Sequence, residues 1–275
     1  MKSTFSLGRV LDGRRMPQTA VETLTMRGRY FLASRWCSLS GIANGLPVPP
    51  PRLTWLVADH FMVVRSLRNG IRAAEQIRET LARNRLRIED FPELLDFGCG
   101  SGRVLRNWRT LKTTRVYGTD YNSEMIRWCR THLRFAQFAT NELCPPLPWG
   151  DGTFAFIYAL SVFTHLDVPL QKAWITELRR ALKPDGYLLI TTHGEYCVNR
   201  LGEGQQAAFR AGEIVVHSGE KSGTNQCSVF HPASWVTTHL LNGFVLLDHI
   251  PAGATATGMQ DIYLLQKTDV STARS

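Results

Sequence analysis

The sequence predicts a doubly wound α/β sandwich, and three observations predict it. From residue 94 onward, short apolar runs alternate with segments of helical periodicity, the pattern that sets parallel strands side by side through right-handed crossovers. The stretch "ELLDFGCGSGRV", Glu93 to Val104, passes from an apolar run through three alternating glycines; Val104, Leu105 and Trp108 then return at helical spacing. It reads strand, glycine loop, helix. The last two apolar runs, "FVLLDHI" and "DIYLLQK", are joined by "PAGATATGMQ" without a helix-length segment, which predicts antiparallel pairing at the sheet edge.

The elements follow in order. Residues 1–46 carry seven basic residues against Asp12 and Glu22, a composition shared by transit peptides and adaptable arms; it is read as a basic N-terminal arm. The proline run "LPVPPPRL" opens a helical cap over 47–90, in which "TWLVADHFMVVRSL" and "GIRAAEQIRETLARN" read as two helices, the second with a stripe of Ile71, Ala74, Ile77 and Leu81. A main domain occupies 91–275. In it the strand "LLDF" leads to a helix from about 102 to 111, "RVYGTD" to the helix "SEMIRWCRTHL", and "FAQFAT" to the loop "CPPLPWGDGT". Then come "FAFIYAL", the helix "PLQKAWITELRRAL", the turn "KPDG" and the strand "YLLITTH". The pattern loosens into an insertion at 195–235, with "GQQAAFRAG" as a short helix, "EIVVH" and "QCSVF" as strands, and "HPASWVTTHLLNG" opening as the final helix.

Composition narrows the class. Hydrophobic residues make up 44% of the 275, enough for a large core, and no apolar run reaches the ~18 residues of a membrane span. Neither a membrane partner nor a secretory signal is expected. The +9 charge is an arginine excess spread along helical stretches, which reads as a solvated surface before it reads as an anionic interface. Six cysteines without a C-x-x-C pair point to free thiols in a reducing cytoplasm, and no metal site is expected.

The ligand of the glycine loop is read from two acids. A dinucleotide site wants G-x-G-x-x-G with pyrophosphate at the helix start, but the position of the third glycine holds Arg103. Asp96 would repel pyrophosphate and attract an ammonium or sulfonium. Asp120 closes the next strand, 18 residues after Gly102, where a carboxylate accepts ribose hydroxyls. Together the two acids describe an adenosine carrying an amino acid.

The D-x-G-x-G-x-G loop, the acid ending "VYGTD" and the run "LRRALKPDGYLLI" resemble the class I S-adenosylmethionine-dependent methyltransferases, especially their bacterial small-molecule branch, over about 90 to 267. The resemblance implies a Rossmann-like sheet of seven strands in the order 3-2-1-4-5-7-6 with an antiparallel last strand, and S-adenosyl-L-methionine as cofactor. It implies Asp96, Gly98, Gly100 and Gly102 around the methionine part, with Cys99 contributing backbone, and Asp120 on the ribose. Tyr121 and Met125 would border the adenine, Asn141 and Glu142 would meet its edge, and Ala159 and Leu160 would end the strand beside the loop.

Methyl transfer is an in-line displacement that needs a base only when the acceptor arrives protonated. His165, in "SVFTHLD" after strand four, is the candidate base, and His193, with Glu195 beside it after strand five, the second candidate. Tyr196, Phe209, His217, Asn225 and Phe230 of the insertion are expected to shape an acceptor pocket; His231 reads as a helix cap, and Trp55, Phe61 and Trp235 as core. The place after strand four lacks the Asn/Asp-Pro-Pro-aromatic run of exocyclic base methylation, which disfavours a nucleic-acid acceptor, and the resemblance implies a small molecule methylated on oxygen or nitrogen. A nucleic-acid methyltransferase and a non-catalytic S-adenosylmethionine-binding protein remain the alternatives, with a nicotinamide oxidoreductase opposed by Asp96 and Arg103.

Overall fold

The computed structural model describes residues 20–58 and 62–268; residues 1–19 of the basic arm, 59–61 with Phe61 among them, and 269–275 of the main domain lie outside the described residues. Strand β1 (Glu93–Phe97) is buried along its whole length, as the centre of a sheet covered on both faces must be. Around it stand β2 (Arg115–Asp120), β3 (Gln137–Thr140), β4 (Phe154–Ala159), β5 (Leu182–Thr192), β8 (Phe244–Ala254) and β9 (Gln260–Lys267), ordered β3-β2-β1-β4-β5-β9-β8. Strands β1 to β5 run parallel, and β9 pairs antiparallel with both β5 and β8. With the short pair β6 (Val215–His217) and β7 (Ser228–Phe230) counted apart, this is the 3-2-1-4-5-7-6 order.

Alternation along β1 divides the core. Leu94 joins Ile77 and Leu81 of helix α3 (Val63–Arg83) and Ile126 of α4 (Ser123–His132) on one face. Leu95 and Phe97 join Trp174 and Leu178 of α5 (Val168–Ala181) and Val236 of α7 (Ala233–His239) on the other. The insertion has a core of its own, in which Phe209 of α6 (Glu203–Arg210) packs with Cys197, Leu201, Val215 and Phe230.

The N-terminal part departs from the sequence reading in its boundaries. Within the 1–46 segment, Ala20–Leu39 forms helix α1, whose Cys37 packs with Val63 and Leu67 of α3; Pro51–Ala58 forms α2. The two expected cap helices redistribute: α3 runs unbroken through "VVRSLRNGIRAAEQIRETLAR", so Gly70 sits inside it, and Ile71 of the expected stripe is only half-buried while Val63, Leu67, Ala74, Ile77 and Leu81 are buried. A glycine inside a helix costs ~1 kcal/mol relative to alanine, but here a Cβ would stand 2.0 Å from the Arg103 carbonyl oxygen. Gly70 is what lets the cap helix touch the glycine loop. Gly70→Ala is therefore expected to destabilise the protein by ~1 to 3 kcal/mol, against the usual sign of this substitution in a helix, seen as a lower denaturant midpoint.

Two further expectations are corrected. The helix predicted over about 102 to 111 is instead a series of turns with one 3-10 segment, Leu105–Trp108. Asn107 explains part of this, because its side-chain amide donates to the carbonyls of Arg103, Val104 and Gly70 and competes for the groups a regular helix would use. The expected turn "KPDG" lies inside β5 as a bulge, with Asp185 at φ 57° and the pairing to β4 shifting from Phe154–Leu182 to Phe156–Tyr187.

Candidate active site

A cavity of about 830 Å³ opens at the carboxyl ends of β1, β2, β4 and β5, where the strand order reverses between β1 and β4. Helices α2 and α3 cover one side with Trp55, Leu56, Arg65, Ser66 and Asn69, and the insertion covers another with Gly223 to Gln226. The two covers meet: the Asn225 side-chain amide donates to the Leu56 carbonyl at 2.9 Å.

The glycine loop forms the floor. Gly98 and Gly100 take φ of 78° and 54°, conformations that other residues adopt only with strain. At Gly98 a Cβ would also lie 2.5 Å from Val162 Cγ2, so the loop and the turn after β4 approach as closely as glycine allows. Asp96 is buried, and its Oδ2 has no hydrogen-bond partner. Burial pushes its carboxyl up to about 7, opposed by a hydrogen bond from the Tyr158 hydroxyl and by the nearby Arg103 charge. Tyr158 in turn accepts from Trp108 Nε1 at 2.9 Å, which fixes the hydroxyl. Asp96 lines the cavity, and an unpartnered carboxylate oxygen buried at its edge suits a cationic ligand group.

Asp120 holds the rim beside it. Its Oδ2 accepts the Gly100 backbone N–H and its Oδ1 the Asn122 backbone N–H, both at 2.9 Å, which leaves each oxygen a lone pair for a hydroxyl in the cavity. Burial raises its pKa, opposed by those two bonds. Asn122 caps α4 by accepting from the N–H groups of Glu124 and Met125, and so places Met125 in the wall next to the exposed ring of Tyr121.

Of the other residues expected at the cofactor, Cys99, Glu142 and Leu160 line the cavity. Asn141 also lines it, but its side chain is engaged elsewhere: Oδ1 accepts from Thr119 Oγ1 at 2.7 Å and Nδ2 donates to the Glu142 carbonyl at 2.7 Å. Two do not reach the cavity. Gly102 is a packing glycine, its absent Cβ leaving room for Leu133 Cδ1 at 2.4 Å, and Ala159 points into the core beneath β4. Arg103, read from sequence only as a missing glycine, lines the cavity close to Asp96, and Arg65 and Asn69 of α3 join it.

On the acceptor side, Ser161 adopts φ 57° and is held by Thr191 Oγ1 and Gln260 Oε1, which turns the chain toward the 3-10 segment Phe163–His165. That segment is braced by the buried Gln171, whose Nε2 donates to the carbonyls of Phe163 and Leu166. His231, expected as a cap, instead bonds Gln171 Oε1 through Nε2 at 3.1 Å. His165 and His193 both line the cavity. Burial lowers the pKa of His165, and burial with the neighbouring His165 pushes His193 down to about 4. Glu195 and Tyr196 are exposed, Phe209 and Phe230 lie in the insertion's own core, and His217 is outside the lining, so Asn225 alone of the expected acceptor-pocket residues lines the cavity. Among the described residues no group of three His, Cys, Asp or Glu side chains is placed to hold a metal, and no helix is long and apolar enough to cross a membrane.

A family model described as a methyltransferase domain matches residues 70–238. Among curated proteins, the malonyl-[acyl-carrier protein] O-methyltransferase of Halalkalibacterium halodurans is 26% identical over 172 residues, 58% of this chain and 62% of that one, so the match spans about three fifths of the relative's length. Among solved structures, a SAM-dependent methyltransferase from Methanosarcina mazei aligns with a TM-score of 0.51 at 24% identity, over 68% of this chain and 96% of that chain. The magnesium protoporphyrin IX methyltransferase of Synechocystis, solved with bound S-adenosylhomocysteine, aligns with a TM-score of 0.53 at 16% identity, over 87% and 100%. At these identities the structural likenesses are likenesses of fold.

Proposed function

Because this chain belongs to the methyltransferase-domain family, the class I S-adenosylmethionine-dependent methyltransferases, we propose that it transfers a methyl group from S-adenosylmethionine to an oxygen or nitrogen of a small-molecule acceptor. The observation that carries the reading is one cavity joining two cofactor-type acids, Asp96 and Asp120, to His165.

The residues present fit that cofactor. The unpartnered Asp96 Oδ2 suits its ammonium, Arg103 its carboxylate, and the free lone pairs of Asp120 its ribose hydroxyls, while Tyr121 and Met125 offer apolar surface to the base. When bound, the cofactor supplies an activated methyl group on a sulfonium. The protein aligns the acceptor, excludes water through the cap and the insertion, and receives the acceptor's proton at His165. Asp120→Ala is expected to weaken cofactor binding by ~1.5 to 3 kcal/mol by calorimetry, since it removes a charge-assisted acceptor and releases the loop at Gly100.

The deciding experiment incubates purified protein and labelled S-adenosylmethionine with a small-molecule extract and, separately, with bulk RNA. Label in the small-molecule fraction is expected. Salt-sensitive labelling of RNA would replace this reading with a nucleic-acid methyltransferase, and tight cofactor binding with no transfer would leave a binding protein. The relative's name favours a second reading, in which a carboxylate borne by a carrier-linked acyl chain is the acceptor.

A further inference from the structure

Two histidines reach the cavity from the ends of different strands, and one short segment of the insertion, 227 to 229, holds both. His165, after β4, is bonded through Nδ1 to the carbonyl of Cys227 at 2.7 Å; His193, after β5, is bonded through Nδ1 to the carbonyl of Val229 at 3.1 Å. Cys227 immediately precedes β7 and Val229 lies within it, so one short segment supplies both carbonyls. A carbonyl only accepts, so each Nδ1 must carry the ring hydrogen, and each neutral ring offers Nε2 as a bare lone pair. Neither Nε2 has a hydrogen-bond partner among the described residues, and both histidines line the cavity. The lowered pKa values of both rings, with burial as the largest cause, keep this form at neutral pH.

A wall of two lone pairs selects what faces it. A carboxylate brings only lone pairs of its own, so it meets repulsion here, whereas hydroxyl and amine groups bring hydrogens. The lining arginines, Arg65 and Arg103, stand on the cap helix and the glycine loop and not on this wall; Arg200, whose charge also lowers the His193 pKa, is bound to the Gly258 carbonyl and does not line the cavity. We infer that the acceptor presents two hydrogen-bond donors, a hydroxyl or amine that is methylated beside His165 and a second hydroxyl or amine held by His193, and is not a carboxylate. This rests on the small-molecule reading above. In the step, the acceptor lone pair bonds the methyl carbon, the carbon–sulfur bond breaks with its electrons to sulfur, and the acceptor's proton passes to His165 Nε2. His193 accepts a hydrogen bond throughout and no proton. The insertion thereby sets acceptor chemistry through two backbone carbonyls.

Nitrogen-15 spectra of the histidine rings at neutral pH, assigned with His165→Gln and His193→Gln, test the geometry without any turnover. Both rings are expected neutral with hydrogen on Nδ1; a ring protonated on Nε2 overturns the inference. The chemistry is tested with purified full-length protein, S-adenosylmethionine and a panel of diols, amino alcohols, their single-donor counterparts and a malonyl thioester. Methylation is expected for the two-donor probes, and His193→Phe should raise their KM roughly 5- to 10-fold, the worth of one hydrogen bond, with a smaller effect on kcat. Preferred methylation of the thioester's carboxylate, or a KM for the two-donor probes that ignores His193→Phe, overturns it. Calorimetry on the same samples separates the two levels: protein that binds no S-adenosylmethionine fails the methyltransferase reading, and protein that binds it but methylates a carboxylate fails only this inference.

Discussion

His165→Ala is expected to lower turnover on a hydroxyl or protonated amine acceptor by ~10²-fold or more while leaving cofactor affinity unchanged. The size follows from what the side chain is arranged to do. Its Nδ1–H is committed to the Cys227 carbonyl, its backbone carbonyl accepts from the Gly223 N–H at 2.7 Å, and its Nε2 is left to the cavity. A ring so constrained is a base of one orientation and one tautomer. Burial lowers its pKa from the ordinary 6.5, and a depressed base stays unprotonated further into acid. The acid limb of kcat should therefore fall below pH 6.5, and the alanine variant should lose that limb along with its rate. Full turnover by the variant on the true acceptor would make His165 a structural residue.

What the sequence showed and what it hid divide along the range of the interactions. Asp96, Gly98, Gly100 and Asp120 come together in one cavity, a placement legible in the sequence because strand, loop and strand lie within 28 residues. The strand order is the one the family resemblance implies. The place of His165 at the end of β4 was legible too, but its tautomer depends on Cys227, 62 residues later, in a segment whose pattern is loose. Arg65 and Asn69 entered the cavity for a reason no local pattern states: α3 is pressed on the loop through Gly70, a contact between residues far apart in the chain. Phe209 and Phe230 do not face the cavity because the insertion has a core of its own, and the cluster with Cys197, Leu201 and Val215 uses them up. The helix over 102–111 failed for a local reason, the Asn107 amide taking helix carbonyls, which periodicity cannot register.

Asp96→Asn is expected to cut S-adenosylmethionine affinity by roughly 10² to 10³-fold, because it removes one member of a buried charge pair worth ~3 to 5 kcal/mol once the ligand is bound. The pH dependence gives the sharper test. Without ligand the carboxyl is held up at about 7 by burial, since Oδ2 has no partner and only Tyr158, Arg103 and the Leu105 backbone favour the ionised form. A folded-state pKa above the unfolded value means that ionisation costs the native state, so this group's contribution to stability declines as pH rises from the unfolded pKa through about 7. An ammonium at Oδ2 reverses that cost, and binding must therefore release a proton whenever the free protein is protonated. Wild-type affinity should fall by up to about tenfold per unit as pH drops below 7 and level off above it. The asparagine variant, which keeps the shape and loses the ionisation, should bind weakly with little pH dependence over that range, and without ligand it should be the more stable protein at neutral pH. Calorimetry in buffers of different ionisation enthalpy counts the released proton directly. A wild type whose affinity is flat from pH 5 to 8, or an asparagine variant of undiminished affinity, would mean that the cofactor's ammonium is held elsewhere.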